Sequence, residues 1–496
     1  MCEKVIIIGS GLGGLACGAI LSRNGYDVTV MEQAGQIGGC LQCFVRKGAK
    51  FETGMHFIGS ADEGQTLDRL MKFLGIRNDL VLDRLNPDAY DIISLDGQRY
   101  CIPNGFEALV DRLSCYFPDQ HQNILDYVEL VKAVNEASSM HSLRFDDTDR
   151  KMSSEYLLKP IDEVIRQRVT DSRLADVLVG NLPLYAAEPG RTPFSTHAFI
   201  MDFYNQSAFR VAGGSDHIAA ALKCVIERNG GKVMVRSKVT EIVCDESKAV
   251  GVTINGTDFV PADYVISDAH PKRTLELLNT KLIRPVFRKR VNAMRQGIGC
   301  FSLYIHFKEN AVPYMNSNFY GYEYGTPWNC ENYDGQTWPK GYLYMHLCHQ
   351  PSPKFAKTAV VLTYMKMDDV ARWIGTSPLH RGAEYEELKQ KKAERLLDVL
   401  EHQFPGIRST IQHFYTSTPL TYLDYTGTDQ GSMYGIAKDV TLGNAGRVPH
   451  RMKVPNVLQT GQNINSHGML GVLVGAVVTT GELIDKPVLY KQIIEA

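Results

Sequence analysis

Six residues near the start of the chain, Gly9-Ser10-Gly11-Leu12-Gly13-Gly14, fit the spacing G-x-G-x-x-G at Gly9, Gly11 and Gly14. The first glycine permits a tight turn, the second lets backbone approach a pyrophosphate, and the third lets a helix lie close on a sheet. Free N–H groups at the helix start then hold phosphate oxygens. Eighteen residues after Gly14 stands Glu32, with Gln33 behind it, placed to accept from ribose hydroxyls. Such an arrangement binds a dinucleotide. A second glycine pair, Gly38-Gly39, and the stretch Phe51-Glu52-Thr53-Gly54-Met55-His56-Phe57 exceed what an NAD site needs, which points to the longer FAD. Its far half would meet the terminal segment from Val454 to Gln462, then Gly468 and an apolar helix, whose N-terminal dipole suits a reduced, anionic ring.

Three side chains are candidates for proton chemistry: His56 first, then Tyr434 and His467. Saturating a double bond takes a hydride to one carbon and a proton to its neighbour, and a histidine is a tunable donor. The plainer role for His56 is a hydrogen bond to backbone; Tyr434 and His467 can equally line a pocket. Cys40-Leu41-Gln42-Cys43 has C-x-x-C spacing, but it follows a glycine pair rather than opening a helix after a strand, so thiol exchange is disfavoured. With no second C-x-x-C and no paired histidines, no metal site is expected. Seven aromatics between 319 and 338 (Phe319, Tyr320, Tyr322, Tyr324, Trp328, Tyr333 and Trp338) read as hydrophobic core or as the wall of a tunnel for an isoprenoid chain.

The elements that must position these groups follow from periodicity. Lys4 to Gly9 is a β-branched run typical of a buried parallel strand, Leu12 to Asn24 has helical apolar spacing, and Asp27 to Glu32 is a second strand. Helical spacing returns at Gln65 to Gly75 and a hairpin at Tyr90 to Ile102, turning at Asp96-Gly97; helices are expected at 106–117, 123–137 and 148–191. The first style resumes with a helix at 218–229 and strands at 232–244, 249–254 and 263–267. A charged helix runs over 384–404, and strand, glycine turn and apolar helix close the chain. Alternating styles imply two interleaved units: residues 1–82, 211–279 and 416–496 as a dinucleotide-binding domain, and 83–210 with 280–415 as a substrate domain. No second G-x-G-x-x-G exists, so no separate NAD(P)H domain is expected; electrons would reach or leave the flavin through the substrate crevice, by docking of NAD(P)H as an external donor, by an external carrier, or to an acceptor.

Composition bounds the function. The 496 residues carry 53 Lys plus Arg against 55 Asp plus Glu, so no global field favours nucleic acid. Eleven cysteines, an odd number without a ladder, suggest a reducing, cytoplasmic setting. The opening residues read as a strand rather than a targeting peptide, and the apolar run Met469 to Val478 is about half of what a spanning helix requires. Nothing in the sequence sets an oligomeric state.

Six segments together, GSGLGGLACGAIL with Glu32 and Gly38-Gly39, FETGMHFIG (51–59), GGSDHIAAAL (213–222), PADYVISDAHP (261–271), TPLTYLDYTGTDQGSMYG (418–435) and VPNVLQTGQNINSHGMLGVLVGA (454–476), resemble the phytoene desaturase, carotenoid isomerase and retinol saturase family of the flavin amine-oxidase superfamily. The resemblance implies an α/β fold with a Rossmann-like FAD domain of the glutathione-reductase type, interleaved with an α+β substrate domain. It implies phosphates on Ser10 to Leu15, ribose on Glu32 and adenine by Val239. It puts Gly54, Met55, His56, Gly461, Gln462, Gly468, Met469 and Leu470 around the flavin. The implied reaction is saturation or isomerisation of carbon–carbon double bonds in an apolar polyene lipid, ahead of desaturation, with the substrate drawn from a membrane surface. The alternatives are an amine-oxidase-like flavoenzyme for a soluble substrate and a flavin-free, prenyl-binding protein like the GDP-dissociation inhibitors. Two departures stand out: Cys40 where the superfamily usually has Arg, and Gly461-Gln462 where many members have Gly-Asp.

Overall fold

A computed structural model describes residues 2–138, 143, 155–322 and 325–496. Two sheets organise it. The first is a five-stranded, all-parallel sheet in the spatial order Lys232–Met234, Asp27–Met31, Lys4–Ile8, Tyr264–Ser267, Val457–Gln459. Numbered along the chain, that order is 3-2-1-4-5, so it reverses direction between Lys4–Ile8 and Tyr264–Ser267, and ligands of doubly wound sheets bind at such a switch point. The central strands are apolar because both faces are covered, one by the antiparallel strands Val239–Cys244 and Ala249–Ile254 and the other by helices. One of these, Leu12–Arg23, packs against Asp216–Arg228 and Gly468–Thr480. Close approach rests on small residues: a Cβ added at Gly18 would lie 2.8 Å from Ile226 Cδ1. The helix Gly468–Thr480 is buried on nearly every side, as a helix apolar all round must be.

The second sheet has seven strands in the order Ile411–Ser417, Gly299–Phe307, Thr358–Met365, Gly341–His346, Asn318–Tyr322, Asp91–Leu95, Gln98–Ile102. It is antiparallel except where Asn318–Tyr322 runs parallel to Asp91–Leu95. Its three strands at 299–307, 318–322 and 341–346 are buried along their whole length, because a helical block covers one face and the long helix Ala383–Gln403 the other. The expected hairpin is present, with Asp96 and Gly97 both at positive φ.

Two expectations need correction, and a choice left open is resolved. The stretch 232–244 is not one strand: Lys232–Met234 joins the parallel sheet, whereas Val239–Cys244 pairs antiparallel with Ala249–Ile254, and Arg236 at φ 53° turns the chain between them. The 319–338 aromatics are core rather than tunnel wall. On the pleat, Phe319 faces the long helix with Trp338, while Tyr320 and Tyr322 pack into the helical block on the opposite face. Trp328 and Tyr333 pack against these cores, and Tyr324 lies outside the described residues. Of the helix expected over 148–191, residues 148–154 lie outside the described residues, and shorter helices at Ile161–Arg166 and Ser172–Leu178 stand in the remainder.

Candidate active site

At the switch point, strand Lys4–Ile8 ends in Gly9 at φ 94°, and Gly11 precedes the helix with no side-chain cap. Glu32, 8% exposed, takes the N–H of Ser10 at 3.0 Å and its hydroxyl at 2.6 Å on one oxygen, and the N–H of Ala34 at 2.8 Å on the other. Gly38 donates to the Ser10 carbonyl at 2.9 Å, and a Cβ added at Gly39 would sit 3.2 Å from Gly11 Cα, so the second glycine pair folds over the first. A Cβ added at Gly13 would sit 2.9 Å from Gly461 Cα and 2.6 Å from Asp268 Oδ1.

Asp268 is a residue that motif reading missed. It follows strand Tyr264–Ser267 and takes backbone N–H groups of Gly14 and Gly11. Burial pushes its carboxyl up to about 7, Glu32 adds to that, and the two N–H groups oppose it. Inspecting the residue after every parallel strand would have found it, since ligands collect at the carboxyl ends of such strands.

Beside this crossing lies a cavity of about 1250 Å³ of space between the atoms, the solvent at its mouth included. Four stretches meet around it: the early loops (Gly38, Cys40, Gly54–Phe57), the helical block (Pro183, Leu184, Tyr204), the large sheet (Cys300, Leu343, Leu362–Tyr364) and the terminal segment (Tyr434, Gln462, Gly468, Met469). No Asp, Glu, Lys or Arg is among its described lining residues. Burial raises the thiols of Cys40 and Cys300 to about 11, and moves the phenols of Tyr204, Tyr364, Tyr422 and Tyr434 upward as well, so these groups stay neutral at physiological pH. The wall is apolar and without fixed charge.

Among the described lining residues the one imidazole is His56. His56 is 6% exposed; its Nδ1 donates to Glu52 at 3.3 Å, and its Nε2 is buried with no protein partner. His467 does not reach this cavity but lines a smaller one beyond Tyr434, its ring tilted 38° to the tyrosine ring with centroids 4.5 Å apart. Burial drives His467 down to about 3, so charging it at neutral pH costs roughly 5 kcal/mol. That disfavours an imidazolium at this position. The Tyr434 hydroxyl donates to the Pro183 carbonyl at 2.9 Å, which leaves it occupied.

Residues 12–388 match the family described as flavin containing amine oxidoreductase. The chain belongs to that family. It is 27% identical over 541 residues to the all-trans-retinol 13,14-reductase of Rattus norvegicus, covering 97% of this chain and 85% of the other. It is 25% identical over 518 residues to the neurosporene-forming phytoene desaturase of Cereibacter sphaeroides, covering 98% and 95%. Among solved structures, cyclohexylamine oxidase from Brevibacterium oxydans superposes with a TM-score of 0.61 at 17% identity over the full length of both chains, an agreement of fold alone.

A flavin of this family fits the residues present. The cradle at Gly11, Gly13 and Gly461 is one that an added Cβ would fill, and the cavity beside it presents Gly38, Gly54, Met55, His56, Gln462, Gly468 and Met469. Gly9, Ser10, Gly14, Leu15 and Glu32 surround the crossing. Gln33 is exposed, Val239 sits in the core with Ile6, Ile8 and Met31, and Leu470 is buried among helices; none of these three lines the cavity. Cys40, standing where an arginine is usual, packs where Gly54 leaves room: a Cβ there would come within 2.9 Å of the cysteine Cβ. Cys40 and Cys43 are free thiols, and Cys43 turns instead toward the Ser215 hydroxyl at 3.6 Å.

Proposed function

We propose that the protein is an FAD-dependent oxidoreductase acting on carbon–carbon double bonds of an apolar polyene lipid, by saturation or isomerisation. The observation that carries this reading is the uncharged cavity with a single imidazole in its wall. An ammonium substrate would find no carboxylate among the described lining residues, which disfavours amine oxidation. The names of the relatives, a retinol reductase and a phytoene desaturase, agree with a polyene.

In this reading the FAD phosphates lie on Ser10 to Leu15, the ribose on Glu32, the adenine on the side of Val239, and the ring between Gly54–His56, Gly461, Gln462, Gly468 and Met469. Bound FAD supplies hydride transfer. The chain supplies the rest: apolar side chains such as Leu343 and Met433 hold the polyene and exclude water, and His56 Nε2 holds the proton destined for the carbon next to the one taking hydride. Electrons enter from an external donor, NAD(P)H among them. The domains divide as 1–82, 211–279 and 416–496 for FAD, and 83–210 with 280–415 for substrate.

Contact with an anionic bilayer is part of the proposal, and a cationic face supports it. Helix Pro285–Asn292 exposes Val286, beside exposed Lys281, Arg284 and Lys289. Arg290 ties it to the carbonyls of Ala445 and Arg447 at 2.7 and 2.9 Å, next to exposed Leu442. No acidic residue occurs in 280–308 or 440–481. Among the described residues no helix is long and apolar enough to cross a membrane. Eleven free thiols suit a reducing cytoplasm.

The test begins with colour. Purified protein is expected to be yellow or to become so with added FAD; a colourless protein that takes up no FAD would return the flavin-free, prenyl-binding reading. Anaerobically reduced protein should then be reoxidised by retinol or a carotenoid. If every polyene fails and an amine reduces the oxidised protein, the amine-oxidase alternative holds. His56→Phe should abolish saturation with FAD still bound.

A further inference from the structure

Resting on that reading of the cavity, we infer that Glu52 is the positioning residue of the proton donor, holding His56 so that both of its protonation states act through Nε2. Glu52 ends strand Ala49–Glu52 and is 5% exposed. A carboxylate so deeply buried needs partners, and it has two of different kinds. One oxygen takes the Ser215 N–H at 3.1 Å, at the start of the thirteen-residue helix Asp216–Arg228, where the helix dipole favours negative charge. The other takes His56 Nδ1 at 3.3 Å.

The backbone of His56 is pinned as well. Its carbonyl accepts from Arg210 Nη1 at 3.1 Å; Arg210 is 1% exposed and also donates to Asn318 Oδ1 at 2.9 Å, whose amide in turn donates to Asp91 at 2.8 Å. Chain and ring are thus fixed from two sides. With the Nδ1 proton committed to Glu52, a neutral ring turns the Nε2 lone pair to the cavity and a charged ring turns the Nε2 proton to it. Proton release and recharging occur at one atom without a ring flip.

In the saturation step the carbon–carbon π bond breaks. Bound, reduced FAD would supply the hydride for one new C–H bond, and His56 Nε2 gives the proton for the other. His56 is left neutral, to be recharged from water, and Glu52 keeps its charge throughout. A carboxylate that only braced the Ser215 turn would leave this step untouched.

Glu52→Gln separates the two roles in the full flavin-loaded chain. Its amide oxygen still accepts from Ser215, but its NH2 group faces Nδ1 and imposes the other tautomer. We expect kcat for retinol or carotenoid saturation to fall about a hundredfold. KM should stay within about twofold, the visible flavin spectrum should be unchanged, and the solvent deuterium isotope effect on kcat should rise because the proton has become the slow particle. Glu52→Asp, which keeps the charge but withdraws it by one methylene, should give a smaller loss of about tenfold with the same isotope signature, and it serves if the glutamine variant fails to fold. Turnover within about threefold of the parent in either variant, alongside an inactive His56→Phe, overturns the role of Glu52 and leaves the reading of His56 standing. An active His56→Phe overturns both.

Discussion

The parallel sheet and the seven-stranded sheet contribute to one site by opposite means. The parallel sheet offers mostly backbone: Gly9, Gly11, Gly13 and Gly461 converge at the switch point, and what matters there is the absence of side chains. The larger sheet offers mostly side chains, with Cys300, Leu343, Thr363 and Tyr364 forming a wall from strands far apart in sequence. A backbone cradle is intolerant of any added atom, whereas an apolar wall tolerates change in proportion to volume and shape. His56 stands where the two meet, in a loop of the first region and facing the wall of the second.

That contrast can be broken by four substitutions. The largest effect is expected for Gly13→Val, which drives a branched side chain into the Gly461 backbone: flavin content should fall below about a tenth while far-UV circular dichroism persists. Leu343→Trp, on the wall, should do the reverse, lowering kcat/KM about a hundredfold by filling the cavity at unchanged flavin absorbance. If Leu343→Trp also expelled the flavin, the two regions would not be separable.

Asp268→Asn sharpens the cradle side. The carboxyl sits at about 7 in the folded chain, above its ordinary value near 3.9. Its contribution to the folded state is therefore fully present below about pH 4 and lost as pH rises through about 7. A diphosphate nearby meets a growing like charge over the same window, so the affinity of stripped protein for FAD should weaken between about pH 6 and about pH 8. The asparagine variant should flatten that dependence and bind about tenfold tighter at the upper pH, as read by quenching of FAD fluorescence. The smallest effect belongs to Val286→Asp on the cationic face, which should weaken co-sedimentation with phosphatidylserine vesicles about fivefold and leave neutral vesicles and turnover of detergent-dispersed substrate unaffected.

Much of the cradle could be read without coordinates, because its chemistry is local. Gly9 to Gly14 are contiguous, Glu32 follows within one strand–helix–strand unit, and the φ 94° turn at Gly9 is a property of that residue type. Asp268 escaped because its partners are more than 250 residues earlier in the chain. The aromatics at 319–338 drew attention by density, yet alternation on a buried strand sends their rings into two cores, and the tyrosines that do line the cavity, Tyr204, Tyr364, Tyr422 and Tyr434, come from four separate elements. His56 was legible as a candidate; its partner Glu52 was not, since nothing in the spacing of two residues four apart says which nitrogen of the ring is bonded and which is left bare.

By itself, then, the sequence determined that this chain binds a dinucleotide through a strand–turn–helix unit and, through its motifs, the family to which it belongs. Turn geometry and hydrophobic periodicity act over a few residues, so they are written where they act. Only the tertiary structure decided that the cavity is uncharged, that an acidic side chain closes the glycine crossing and that His56 faces inward with one nitrogen tied to Glu52. Those are consequences of which distant residues exclude water from one another, and burial is a property of the packed chain rather than of any segment in it.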